Sequence, residues 1–228
     1  MLESLLLADL VSDLPPAVRL QRLVSSLRTH FGCGAVALLK LEEDSLRPLA
    51  VDGLVRETLG RRFVVGQHPR LATILSRRDI TAFDHDSTLP DPYDGLLDTR
   101  VGEPLPVHDC MGTSLHVEGQ TWGALTFDAL QTGTFTEAAR DDLRRFTLLV
   151  EAAVRVTRLE QDLHVRLFQL MTWAFTPVYQ SDSDILPWLR DRLVAPISKL
   201  WPAPPILAAL VSGALGSPLA KLGLEAES

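Results

Sequence analysis

At 228 residues with 46% hydrophobic content, the chain has apolar material for one domain of ordinary size plus an extension. A net charge of -7 without any lysine or arginine block argues against direct nucleic-acid binding by this chain, and two cysteines outside any CxxC arrangement, Cys33 and Cys110, exclude a zinc ribbon and a disulfide scaffold. The start Met1-Leu2-Glu3-Ser4-Leu5 lacks the basic flank and long apolar core of a signal peptide, so the expected compartment is the cytoplasm.

From the amino terminus, Leu20, Leu23, Val24, Leu27 and Phe31 recur at helical spacing between Pro15-Pro16 and Gly32, which predicts an amphipathic helix over Ala17 to Phe31. The apolar or alternating runs Cys33 to Leu41, Arg47 to Val51 and Arg62 to Val65 read as strands, and Pro69 to Arg78 returns to a helical pattern. A further strand is expected at Ile80 to Phe83. The segment Leu89-Pro90-Asp91-Pro92-Tyr93-Asp94-Gly95 is kept out of helix and central strand by its prolines and glycine, and reads as a loop. Val107 to Val117 and Trp122 to Leu130 form the arms of a hairpin around Glu118-Gly119-Gln120-Thr121. Thr136 to about Ala174 contains neither glycine nor proline and predicts one long helix. This order of elements fits an α+β domain built on an antiparallel sheet with flanking helices.

Three observations concentrate chemistry. Asp91 and Asp94 lie three residues apart around a proline, so their carboxylates can either converge on one cation or serve as ordinary turn residues. Cys110 reads as an inert buried thiol or as a soft donor, and Asp128 ends an apolar strand where an unpartnered carboxylate would be costly. Register connects the last two. A three-residue loop, Glu118 to Gln120, sets Cys110 directly opposite Asp128 on one face of the sheet; a two-residue turn sends them to opposite faces unless a bulge intervenes.

Taken in order, His68-Pro69-Arg70, LPDPYDG at 89 to 95, the VHxCxG pattern at 107 to 112 and the GALTxD pattern at 123 to 128 resemble the sensor domain of the NorR family of nitric-oxide-responsive activators. The resemblance extends from roughly Arg19 to Leu159. It implies a GAF domain over residues 1 to 160 that holds one non-haem ferrous iron (Fe2+) and binds nitric oxide there. The ligand positions it implies are Asp91, Asp94, Cys110, Asp128 and Arg70. His108 reads as a ligand or a donor behind the ligands, or as a surface or satisfied core histidine, and Tyr93 as a residue behind the ligands. Arg70 either ligates or closes the site, since a guanidinium gives up its proton reluctantly.

The helix beyond Leu159 outruns such a domain. From Val156 to Leu170 its apolar spacings are threes and fours, which predicts an exit helix, continuing through residues 161 to 176, that pairs two copies of the chain. Residues 177 to 228 read as a proline-rich, loosely ordered tail without the GxxxxGK[ST] loop of the family's ATPase or a helix-turn-helix, and the four prolines among residues 200 to 220 argue against a membrane anchor. Two other readings stand beside the sensor: a metal-free GAF-like module for a small organic ligand or for dimerisation, and an iron enzyme. Against the enzyme stands the missing facial triad of two histidines and a carboxylate, so the chain is expected not to be an enzyme.

Overall fold

The structure, a computed structural model, describes residues 2–103 and 109–180, with residues 192, 200, 204 and 205 besides. It opens on a helix the sequence pattern does not announce, α1 (Leu2–Val11). LESLLLADLV is apolar all round and carries no 3.6-residue stripe, so periodicity has nothing to detect. Arg19, buried in the following helix, holds the end of α1: its Nε donates to the Asp9 carbonyl at 3.1 Å and its Nη2 to the carbonyls of Ser12 and Leu14 at 3.4 and 3.3 Å. This cation at the carbonyl end also suits the helix dipole.

Helix α2 (Pro16–Phe31) starts on a proline whose missing N–H costs nothing at that position, and it buries Leu20, Leu23, Val24 and Leu27. Gly32, at φ 58°, ends it in the left-handed conformation, with its N–H on the Thr29 carbonyl and that of Cys33 on the Arg28 carbonyl. Six strands follow: β1 (Ala35–Glu42), β2 (Ser45–Asp52), β3 (Phe63–Val64), β4 (Thr81–Phe83), β5 (Cys110–Val117) and β6 (Gln120–Asp128). They form one antiparallel sheet in the order β3-β2-β1-β6-β5-β4. A short helix, α3 (Pro69–Leu75), lies between β3 and β4, and α4 (Glu137–Gln180) ends the described elements. The backbone of α4 continues helical past Pro177, several residues beyond the predicted end.

Strand alternation divides the core in two. Val36, Leu38, Met111, Leu115, Leu125 and Phe127 pack with α1, α2 and the first turns of α4 through Leu143, Phe146 and Val150. Ala35, Ala37, Leu39, Cys110 and Ala124 point to the other face, which is covered by α3 and by the loop carrying Tyr93, Leu96 and Leu97. The second face uses small residues, which leaves room for that loop and for the polar cluster beneath it.

By internal contacts the chain divides into two units, residues 1–155 and 156–228, with the boundary inside α4. The expectations for His108 and for the tail from residue 181 onward lie outside the described residues, apart from the four named above. No helix among the described residues is long and apolar enough to cross a membrane.

Candidate functional site

The hairpin of β5 and β6 reaches the required register by a route that differs from the three-residue loop. Its turn has two residues, Glu118 at φ 54° and Gly119 at φ 79°, both left-handed as a type I′ turn demands. Pairing then shifts: His116 sits opposite Thr121 but Leu115 opposite Gly123, so Trp122 bulges out of β6 and absorbs the extra residue. Beyond that bulge Cys110 faces Asp128 directly. Ala35 of β1 lies on the other flank of Asp128, so the acid is central in the sheet and buried.

Above this pair sits the loop. Asp91 accepts the Tyr93 N–H on its Oδ1 at 2.7 Å, a local turn bond that aims the other oxygen, Oδ2, toward Cys110 Sγ at 3.1 Å. Tyr93 is fully buried, and its hydroxyl pairs with Thr126 Oγ1 at 2.8 Å. Thr126 Oγ1 also lies 3.4 Å from the Ala37 carbonyl oxygen, so the loop is tied through β6 to β1. Burial, followed by the charge of Asp128, holds the Tyr93 phenol well above its ordinary pKa. The far end of the loop is stapled by a bridge between Leu54 and Leu97 and by the Asp98 N–H on the Gly53 carbonyl at 3.1 Å.

Arg70, on the first turn of α3, closes the cluster. Its Nε donates to the Leu89 carbonyl at 2.8 Å, and its Nη1 to Asp91 Oδ2 at 2.9 Å and to Cys110 Sγ at 2.8 Å. The guanidinium carbon lies 5.4 Å from the centre of the Phe83 ring, a cation–π contact in a desolvated place. Cys110 Sγ also lies 2.8 Å from Asp128 Oδ1. A thiol has one hydrogen, and two carboxylate oxygens compete for it. Burial pushes the Cys110 thiol far up from its usual pKa, the charges of Asp128 and Asp91 push it further, and Arg70 opposes them.

Four of the five expected ligand positions therefore meet: Arg70, Asp91, Cys110 and Asp128. Asp94 lies on the same turn as Asp91 but is exposed and stands outside the group, because the turn that directs Asp91 and Tyr93 inward leaves position 94 facing out. Donor atoms of Asp91, Cys110 and Asp128 all lie within 4.8 Å of one another, close enough to share one cation. One sulfur with two carboxylates fits a borderline metal such as iron better than magnesium or calcium. Thr126 and Phe83 were legible in principle, since Thr126 is two residues from Asp128 on the same strand face and Phe83 ends a predicted strand. The Leu89 carbonyl had no sequence signal at all.

The GAF domain family matches residues 15–154, more than half of the chain. The chain belongs to the GAF family. Over 165 residues this GAF protein is 73% identical to the nitric oxide reductase transcription regulator NorR2 of Cupriavidus necator and 71% identical to NorR1 of the same organism. Each alignment takes in 72% of this chain but only 31% and 32% of those relatives. An anaerobic nitric oxide reductase transcription regulator NorR of Vibrio vulnificus is 39% identical over 158 residues, 69% of this chain and 31% of its own length. The chain thus spans about a third of the length of these relatives. Among solved structures, the GAF domain of a Coxiella burnetii phosphoenolpyruvate-protein phosphotransferase superposes with a TM-score of 0.56 at 16% identity, covering 71% of this chain and 94% of that one. Its Acinetobacter counterpart gives 0.53 at 14%, with 68% and 92% covered. Both likenesses speak to the fold alone.

Proposed function

We propose that this GAF domain senses nitric oxide through one ferrous iron held by Asp91, Cys110 and Asp128, with Arg70 closing the site, as the regulatory module of a transcription activator. The observation that carries the reading is the meeting of two acids and a thiol within 4.8 Å beneath a buried arginine, in a chain 73% identical over this region to a nitric oxide reductase regulator. Bound iron would supply an open coordination position at which nitric oxide binds. The chain's own residues do the rest. Asp91 is held by its own turn, Asp128 by the central strand and Cys110 by the strand beside it, so a loop and a rigid sheet share one point of attachment. Arg70 offsets negative charge that two carboxylates and a thiolate would bring together in a buried place. Asp94, the exposed acid of the same turn, lies outside these three, and its alanine variant decides whether it contributes.

A small organic ligand at this cluster is disfavoured by size. The cavity bounded by Arg70, Asp91, Tyr93, Cys110 and Asp128 has a volume of about 10 Å³, roughly one water, whereas organic ligands need clefts of several hundred Å³. The relatives are regulators by name, and the module follows them in being regulatory rather than an enzyme. Its exit helix presents Leu159, Leu163, Leu170 and Trp173 to solvent at seam spacing, and a second copy of the chain is the partner this stripe fits.

Protein purified without oxygen and reconstituted with ferrous iron should hold about one iron per chain, the content of a single mononuclear site, and should develop a paramagnetic signal on adding nitric oxide. Folded protein that takes up no iron would reject the reading. Loss of iron from Asp94→Ala would place that acid among the ligands, and full occupancy would remove it.

A further inference from the structure

We propose that Gly112 is a positioning residue for the cluster: its missing side chain seats Ile74 against β5 and thereby sets the height at which α3 holds the Arg70 guanidinium over Cys110. Three residues on one face of β5, at positions 110, 112 and 114, meet three positions along α3 and its end. Cys110 takes a hydrogen bond from Arg70 at 2.8 Å, Gly112 lies under Ile74, and the Ser114 hydroxyl donates to the Arg77 carbonyl. Alternation puts the three strand positions on one face, and the offsets of four and three between Arg70, Ile74 and Arg77 put those residues along one side of the helix and its extension.

The middle contact is close. A methyl at position 112 would lie 2.6 Å from Ile74 Cδ1 and 3.2 Å from its Cγ1, and 3.0 Å from the Leu125 carbonyl oxygen. That carbonyl belongs to β6, which is paired on both sides in the sheet and cannot withdraw. Ile74 is what must give. Ile74 is buried and has little room to turn its Cδ1 aside, so the push lifts α3 from β5 between the Ser114 bond to Arg77 at one end and the Arg70 contacts at the other. Gly112 is not in a positive-φ conformation, so the requirement for glycine here is the close approach of a helix and not backbone strain.

The test uses the full chain as wild type, Gly112→Ala and the double variant Gly112→Ala/Ile74→Val, in which loss of Cδ1 returns the space that the methyl takes. In metal-free protein, iodoacetamide labelling of Cys110, followed by mass spectrometry of its peptide, reports how well α3 covers the thiol. Labelling should accelerate about tenfold in Gly112→Ala, the scale expected from overpacking by one methyl, and return to within about threefold of wild type in the double variant. Equal labelling in wild type and Gly112→Ala would overturn the proposal, as would a double variant labelled as fast as the single one. Should Gly112→Ala fail to fold, a folded double variant whose Cys110 labels within about threefold of wild type supports the proposal, and one that labels about tenfold faster, or also fails to fold, refutes it. A second readout rests on the function proposed above: iron affinity should fall about tenfold in the single variant and recover in the double. Wild type that binds no iron would defeat that function while the labelling result still decides the role of Gly112.

Discussion

At the scale of single residues, Arg70 and Asp91 form a buried ion pair at 2.9 Å with side chains 9% and 3% exposed. Breaking such a pair leaves one charge desolvated without its partner, which typically costs about 3–5 kcal/mol. Arg70→Met should therefore lower the stability of metal-free protein by about 3 kcal/mol in urea unfolding. Arg70→Lys should recover only part of it, because an ammonium cannot span the Leu89 carbonyl, Asp91 and Cys110 at once. Stability unchanged in Arg70→Met would mean that Asp91 is compensated from elsewhere. Cys110→Ser keeps a small polar group but removes the soft donor, so iron occupancy should fall sharply while circular dichroism stays as in wild type.

At the scale of elements, the turn that leads into β4 is tied to α4 by a fork: Arg144 Nε donates to Asp79 Oδ1 at 2.8 Å and its Nη2 to Asp79 Oδ2 at 3.2 Å. The bond from Arg144, then that from the Ile80 N–H, holds the Asp79 carboxyl below its usual 3.8. A carboxyl depressed in the folded state adds stability that is complete above the unfolded value and disappears as pH falls through the folded one. The advantage of wild type over Asp79→Asn should therefore be present at neutral pH and fade below about pH 4, with salt reducing it throughout because both side chains are exposed. Denaturation midpoints measured from pH 6 to pH 2 check this, and a difference that persists at pH 2 would count against it. The hairpin offers a stability gain. Glu118 occupies a left-handed position at φ 54° that asparagine tolerates better before glycine, so Glu118→Asn should stabilise by roughly 0.5–1 kcal/mol in thermal unfolding, with iron binding unaltered.

At the scale of the whole molecule, the expected partner is a second copy through the exit helix. Leu163 and Leu170 lie one heptad apart and are 57% exposed each in the single chain. Sedimentation equilibrium should find a dimer in wild type and a monomer in Leu163→Glu/Leu170→Glu, since a charge buried at seam positions of a paired helix is strongly disfavoured. A wild type that sediments as a monomer at tens of micromolar, or a double variant that stays dimeric, would remove the helix as the interface.

Much of the candidate site could be read from residue order. Helix α2, the strands and the long α4 announce themselves because burial on one side imposes a period of 3.6 or 2 on the sequence, and α1 escaped because a helix apolar all round has no period. The motifs around Arg70, Asp91, Cys110 and Asp128 carried the resemblance because the residue types and spacings are local. Which of those residues touch was decided by tertiary structure. The bulge at Trp122 turns Asp128 toward Cys110, and no feature of the turn residues distinguishes this route from the three-residue loop. Asp91 and Asp94 look equivalent along the chain, yet the Tyr93 side chain must be buried, and seating it under the sheet turns one acid in and the other out. The contacts to the Leu89 carbonyl and of Ile74 over Gly112 join segments far apart in sequence, and only packing α3 onto β5 creates them.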